Sequence, residues 1–237
     1  MNSHSLDLES TSSQYATAAD SASLSITSDM TIECWIKLET LPSVLGANES
    51  LVTKWNVTGN LRSYRMYIAS ANDKLTVKAS IDGTEPGGTA VATTALTAGI
   101  WNHLAWVYDA DGGANRNTFY LNGVTDGTDA NTDGGIHDNS SQLGVGVFDH
   151  QTGAAQFLDS LIDEIRIWND IRTAAEIANN YKREIDPMEQ GLAAYWKLNN
   201  DYLDETANNN DLTAVGSPVF STDIPFSAIY GKPFIFD

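Results

Sequence analysis

Short runs of alternating apolar and polar residues, separated by Gly, Asn and Asp, dominate this chain. A period of two puts every second side chain on one face, so such runs predict half-buried strands joined by turns. Residues 30–38 (Met-Thr-Ile-Glu-Cys-Trp-Ile-Lys-Leu) show the alternation clearly. Residues 64–68 and 74–81 predict neighbouring strands joined by 70–73, and Asp82-Gly83 then turns the chain. An aromatic-rich strand is predicted at 101–108 and another at 117–121. Asn122-Gly123 follows directly, the strongest hairpin signal in the chain, because both residues tolerate the positive φ of a type I′ turn. Further strands are predicted at 142–148, 157–168 and 191–198, with a weak one at 211–215. One segment has helical spacing. In 172–181, Thr173 and Glu176 have the capping-box separation, and Ala174, Ile177, Ala178 and Tyr181 would share a face. The pattern therefore predicts an all-β, two-sheet antiparallel sandwich with one short helix in the C-terminal half. No internal repeat or Gly/Ser-rich linker interrupts it, so residues 1–225 are expected to form a single domain.

Composition narrows the function classes. The chain has 237 residues, 42% of them hydrophobic, enough for a sizeable core. Thirteen Lys and Arg stand against 31 Asp and Glu, a net charge of −18, which repels a phosphate backbone and excludes nucleic acid as an expected partner. Residues 101–165 hold ten of the acids and one base, Arg116, so half the net charge is regional. No run approaches 18 apolar residues, so no membrane span is expected, and the opening residues lack the basic and apolar regions of a signal peptide. Cys34 is the single cysteine and is expected to be a buried thiol on a strand's core face.

Several segments, in order, resemble a known family. Ser5-Leu-Asp-Leu, Gln14-Tyr15, Leu24-Ser-Ile and residues 30–37 resemble the opening strands of concanavalin A-like, laminin-G-like jelly-roll domains. Residues 99–109 (Gly-Ile-Trp-Asn-His-Leu-Ala-Trp-Val-Tyr-Asp) are similar to another strand of that family, and Phe119-Tyr-Leu-Asn-Gly-Val to its hairpin. Ile162-Asp-Glu-Ile-Arg-Ile-Trp-Asn, followed by Arg172-Thr-Ala-Ala-Glu-Ile, resembles a third motif, and Gly191-Leu-Ala-Ala-Tyr-Trp-Lys-Leu a fourth. The resemblance implies a jelly roll acting as a non-catalytic, calcium-assisted module that binds glycans, glycoconjugates or a cell surface. It implies an extracellular or particle-surface setting. The fold also serves assembly subunits such as virion or filament surface proteins, and carbohydrate-active enzymes. The Phe-Asp-Gly that commonly follows the family's first strand is Leu8-Glu9-Ser10 here.

Candidate chemistry is sparse. Glu184, Asp186 and Glu189 have the spacing of a retaining glucanase strand, but Pro187 cannot donate to a central ladder, so a connecting loop is expected. His103 is expected to be structural. No catalytic residues are expected. In residues 129–140, Asp129, Asn131 and Asp133 precede a Gly with calcium-loop spacing, and Asp138 offers a further oxygen. Ser140 stands where an EF-hand has its bidentate Glu, so an ordinary acidic turn competes with the metal reading. Asp163 alternates with Leu161, Ile165 and Ile167, which would bury its carboxylate among aliphatics. Two roles stay open for it: a Ca²⁺ ligand, as the resemblance implies, with Asp7 joining if the termini pair, or a cap on neighbouring amides. Of six tryptophans, Trp55 is the candidate sugar platform, with Arg62 and Tyr64 close by, while the others are expected in the core. Residues 226–237 are unusually apolar for a terminus, suited to packing on this domain or to forming a homo-oligomer or larger assembly.

Overall fold

The structure, a computed structural model, describes residues 2–226. Fifteen strands occur in this stretch: β1 (Ser5–Leu8), β2 (Tyr15–Ala18), β3 (Met30–Leu38), β4 (Glu49–Asn56), β5 (Leu61–Ala69), β6 (Lys74–Ala79), β7 (Ala90–Ala95) and β8 (Asn102–Tyr108), then β9 (Asn117–Leu121), β10 (Val124–Asp129), β11 (Leu143–Val145), β12 (Ser160–Trp168), β13 (Leu192–Trp196), β14 (Thr213–Val215) and β15 (Val219–Ser221). Two short helices, α1 (Pro42–Leu45) and α2 (Ala174–Asn180), accompany them. The first sheet runs β10-β9-β8-β3-β12-β1-β15, with β13 also beside β12, and the second runs β14-β2-β11-β4-β5-β6-β7. The fold is the two-sheet antiparallel sandwich that the alternation predicts.

The core lies between the sheets. Met30, Ile32, Cys34, Ile36 and Leu38 of β3 join Tyr64, Met66 and Ile68 of β5 in one continuous cluster. Burial pushes the Cys34 thiol pKa up, which keeps it an inert hydrophobe. At one edge of the sandwich, carboxylates tie the sheets together: Asp126 Oδ2 accepts from Thr94 N at 3.2 Å and Asp129 Oδ2 from Val91 N at 3.2 Å, linking β10 to β7.

Strand β12 is the hub of the first sheet. One edge pairs with β3, and the other is shared, β1 taking residues 160–162 and β13 residues 165–168. The ladder to β3 shifts register between Asp163 and Arg166, and Glu164 there has φ +50°. Such a bulge moves the alternation by one residue. Ile162, Ile165 and Ile167 face the core as a result, and the expected grouping of Asp163 with Ile165 and Ile167 does not occur.

Helix α2 starts on the predicted capping box: Glu176 N donates to Thr173 Oγ1 at 3.3 Å, and Thr173 N to Glu176 Oε2 at 2.7 Å. Ile177 packs on Ala105, Val107 and Tyr120, outside the first sheet. The buried helix residues are Ile177 and Asn180, whereas Ala174 and Ala178 are exposed. The predicted face is rotated because the surface beneath is polar, with Arg166 donating to the Asn180 carbonyl at 3.2 Å. Beside the helix, the rings of Trp35 and Tyr181 stack at 5.8 Å, and the ring of Phe226 is 6.0 Å from Trp35. The rest of the apolar tail, 227–237, lies outside the described residues.

The Asn122-Gly123 hairpin has the expected positive φ at both residues, 51° and 79°. A Cβ on Gly123 would also lie 2.8 Å from the Tyr181 ring, so this glycine lets the hairpin tuck under the end of α2. Gly123→Ala is expected to cost about 2 kcal/mol through left-handed strain and that clash, a fall in Tm of roughly 4–8 °C. An unchanged melting curve would show that hairpin and helix are not coupled this way.

Candidate functional site

The outer face of the second sheet is set by register. Gly144 of β11 lies opposite Thr17 of β2 and Thr53 of β4, Thr53 opposite Arg65 of β5, and Arg65 opposite Lys78 of β6. Residues alternating with these, including Ala16, Val52, Tyr64, Met66, Val77 and Ala79, belong to the core. Residues 146–157 fold across this face. Thr53 Oγ1 donates to the Val147 carbonyl at 2.7 Å, Ser50 N to the Gln156 carbonyl at 3.1 Å, and Val57 N to Asp149 Oδ1 at 3.3 Å. Gly144 permits the close approach, because a Cβ there would sit 2.9 Å from Val147 and 3.1 Å from His150 Nδ1.

This arrangement gathers rings and amides. The Arg65 guanidinium carbon lies 4.1 Å from the ring centroids of both Tyr67 and Phe148, and its Nη2 donates to Gln156 Oε1. The Tyr15 ring is 6.0 Å from both His150 and Phe157. Asn48 Nδ2 donates to Gln156 Oε1 at 3.3 Å, Asn56 Nδ2 contacts Gln151 Oε1 at 3.5 Å, and His150 Nε2 lies 3.2 Å from Gln142 Oε1. Tyr15, Phe148 and Phe157 are half-buried. Half-exposed rings flanked by amides can meet both the C–H face and the hydroxyls of a sugar. A polar depression of about 220 Å³ between Ser23, Ser25, Thr27, Ser28 and Asn169 has no aromatic ring in its lining.

The sequence points to different residues on the same sheet. Trp55 is only 2% exposed, because β4 continues to Asn56 and makes it part of an inner strand. Tyr64 is a core residue whose hydroxyl donates to the Leu24 carbonyl at 3.1 Å. Neither presents a ring to a ligand. Arg62, opposite Trp55, is part-exposed and pairs with Glu85 at 3.2 Å. Tyr15, Phe148 and Phe157 carry no joint signal in the sequence, since the first is separated from the others by more than a hundred positions.

The expected calcium-loop residues do not converge. Asp129 Oδ1 accepts from Asn131 N at 2.9 Å, and Asp133 Oδ2 from Ile81 N at 3.2 Å, while the Asn131 and Asp138 side chains are exposed. The first is a local turn contact of a short polar side chain, and the second ties the loop to the segment after β6. The end of the loop does hold a cation, the buried Lys54 ammonium, through the carbonyls of Asn139 and Ser141 at 2.8 and 2.6 Å, with Asp20 at 2.6 Å completing the shell.

Asp163 is fully buried; its Oδ2 accepts from Asn2 Nδ2 at 2.8 Å and its Oδ1 from Glu164 N at 2.9 Å. Burial, and then the Glu164 charge, raise its pKa well above the usual carboxylate range. The first strand does pair with β12, but Asp7 lies opposite Leu161 and does not meet Asp163. Asp7 gathers instead with Glu9 and Glu39: one oxygen from each lies within 4.8 Å of the others, the one such group of His, Cys, Asp or Glu side chains among the described residues. Asp7 Oδ1 is buried without a hydrogen-bond partner.

The outer face of the first sheet carries a buried charge network. Arg166 Nη2 lies 2.8 Å from Glu164 Oε2, Arg166 Nη1 3.8 Å from Glu33 Oε1, and His103 Nε2 3.1 Å from Glu33 Oε2. Trp168 Nε1 donates to Glu33 at 2.9 Å and the Tyr195 hydroxyl to Glu164 at 2.6 Å. Burial opposes ionisation of Glu33, but the His103 hydrogen bond and the Arg166 charge outweigh it and hold its pKa at about 2. Residues 184–189 lie outside any strand, in the connection between α2 and β13.

The family model of the concanavalin A-like lectin/glucanases superfamily matches residues 10–178. No curated protein matches the chain. Among solved structures it is similar to a Bacteroides ovatus protein described as a candidate carbohydrate binder, with TM-score 0.72, 20% identity and coverage of 95% of this chain. The chain spans 61% of the length of that protein. It is also similar to a heptameric SAP-like pentraxin from Limulus polyphemus, with TM-score 0.65, 12% identity and coverage of 96% and 98% of the two chains. A third is the CBM40 of a Ruminococcus gnavus IT-sialidase bound to α2,3-sialyllactose, with TM-score 0.53, 17% identity and coverage of 70% and 91%. At these identities the likeness is one of fold.

A buried carboxylate gives the fold a pH signature. Glu49 is 1% exposed, and one of its oxygens has no hydrogen-bond partner. Burial raises its pKa from 4.5 to about 8, the Asp159 charge adding to the effect and a Ser160 hydrogen bond opposing it. The folded state therefore holds a proton that the unfolded state has lost. Stability is fullest below about pH 4.5 and falls as pH rises from there to about 8, by up to roughly 5 kcal/mol from this group. With EDTA present, Glu49→Gln is expected to flatten the decline in Tm between about pH 5 and 8 and to melt higher than wild type at the upper end. Parallel curves for the two proteins would show that Glu49 ionises normally.

Proposed function

The chain belongs to the concanavalin A-like lectin/glucanases superfamily, and on that premise we propose that it is a non-catalytic carbohydrate-binding module whose ligand lies on the outer face of the second sheet. The observation that carries the reading is the half-buried pair Tyr15 and Phe157 and the half-buried Phe148 beside Arg65, carried on one face with the amides of Asn48, Gln142, Gln151 and Gln156. Rings cover the apolar face of a pyranose, and amides both donate to and accept from hydroxyls. Binding there is shallow and needs no displaced core residue. The glycans it meets are those displayed on cell or particle surfaces.

The non-catalytic part of the proposal draws on how the carboxylates are used. Glu33 and Glu164 are committed to buried Arg166, and Asp129 and Asp133 to backbone amides. A glycosidase needs an acid and a nucleophile or base flanking an accessible bond, and none of these carboxylates is free for that work.

Calcium enters the proposal as a structural ion. The donor set that suits it is Asp7, Glu9 and Glu39, because carboxylate oxygens are the ligands Ca²⁺ prefers and Asp7 Oδ1 is otherwise unpartnered. Bound there, the ion would neutralise like charges where β1 and β3 end. It plays no part in the sugar contacts proposed for the opposite sheet.

Two measurements check this reading. On a glycan array the wild type is expected to bind, with Tyr15→Ala and Phe148→Ala each weakening binding by about tenfold or more. Met188→Ala, a change at a 90% exposed residue beyond α2, is expected to match wild type. Silence of the wild type across all glycan classes would overturn the function, and full binding by both aromatic variants would move the site elsewhere. For the ion, excess Ca²⁺ after EDTA is expected to raise Tm in the wild type and not in Asp7→Asn. No shift in either direction would remove calcium from the account.

A further inference from the structure

Four basic side chains are at least nine-tenths buried among the described residues: Lys54, Arg65, Arg166 and Arg172. Three have carboxylate partners. Lys54 lies 2.6 Å from Asp20, Arg166 2.8 Å from Glu164, and Arg172 3.0 Å from Glu176. Arg65 is different. It is 6% exposed, forms no ion pair with any described residue, and its Nε has no hydrogen-bond partner. Its polar contact is a neutral one, the amide oxygen of Gln156. Burial pulls its pKa down to about 10, outweighing the influence of Tyr67 and of the Glu85 charge, and leaves it protonated at neutral pH.

The surroundings hold this cation ready for an anion. The Arg65 guanidinium carbon lies 4.1 Å from the ring centroids of both Tyr67 and Phe148, and these contacts restrict how the group can turn. Lys78 lies directly opposite Arg65 on β6, and both Lys78 and Arg62 are paired to Glu85, an acid on the exposed loop after β6. In a chain of net charge −18, the bases Arg62, Arg65 and Lys78 thus come together on neighbouring strands of the second sheet. The covering segment supplies Gln156, whose amide oxygen occupies the position that an oxyanion would take beside Arg65.

Resting on the carbohydrate-binding reading, we propose that this site selects acidic glycans: a singly charged group on the sugar, carboxylate or sulfate, pairs with Arg65 in place of the Gln156 amide, with Lys78 and Arg62 at its rim. The aromatic rings then hold the neutral part of the same ligand.

The test measures affinities for matched oligosaccharides, one ending in a carboxylate-bearing sugar, one in a sulfated sugar and one neutral, at low and high salt. The wild type is expected to prefer at least one acidic ligand over the neutral one by about tenfold or more, a preference reduced by salt. Which acidic ligand wins identifies the group. Arg65→Gln should remove the preference, lowering affinity for the acidic ligand by more than for the neutral one, with the wild-type far-UV spectrum retained. If that variant fails to fold, Lys78→Gln, at a side chain nearer solvent, should reduce the preference and its salt dependence. Equal affinity for acidic and neutral ligands would overturn the selectivity and leave carbohydrate binding standing. Absence of binding to all three, with silence on the wider array, would instead overturn the carbohydrate reading itself.

Discussion

Arg166 lies 1% exposed between Glu33 and Glu164, and the first sheet is built around keeping that guanidinium paired. An isolated buried charge costs several kcal/mol, so its partners must be fixed in place. Glu33 comes from β3 and Glu164 from the bulge of β12, while the carbonyls of Asn180 and Arg183 close the remaining side from beyond α2. The bulge serves a second purpose. It lets β12 hand one edge from β1 to β13, so the N-terminal strand and the late strand meet at one point. Helix, hairpin and aromatic cluster then cover the charges from outside.

The second sheet solves the same problem incompletely. Its inner face contributes to the same apolar core, and Lys54 of β4 is coordinated by Asp20 and two carbonyls. Arg65 on its outer face has two rings and an amide but no acid. Among the described residues the other deeply buried Lys and Arg side chains have carboxylate partners, and the proposed acidic ligand would supply one to Arg65. The glycine at 144 and the segment laid across it make the site part of the sheet and not of a free loop.

Local signals made much of the frame legible in the sequence. The alternation in β3, β5, β6 and β8, the Asn122-Gly123 turn and the Thr173–Glu176 box depend on neighbours in the chain, and each is found where its spacing puts it. β4 was not legible, because Glu-Ser-Leu-Val-Thr-Lys-Trp-Asn mixes phases across two register shifts and buries polar and apolar residues alike. That hid the burial of Trp55. Asp163 was placed among aliphatics because a bulge cannot be read from period-two spacing, and the carboxylates of 129–133 gave a metal-like spacing that amides use instead. The proposed carbohydrate face was invisible for a different reason: Tyr15 meets His150 and Phe157, and Arg65 meets Phe148, only through tertiary structure, which no local pattern encodes.

The claim on which the functional account turns is the location of the ligand. Backbone amide NMR shifts, followed as an oligosaccharide that binds on the array is titrated in, test it directly. The account predicts shifts concentrated in β2, β4, β5 and residues 146–157, with the strongest near Arg65, Phe148 and Gln156. Shifts confined to the Ser23–Ser28 depression, or to the surface around α2, would contradict it.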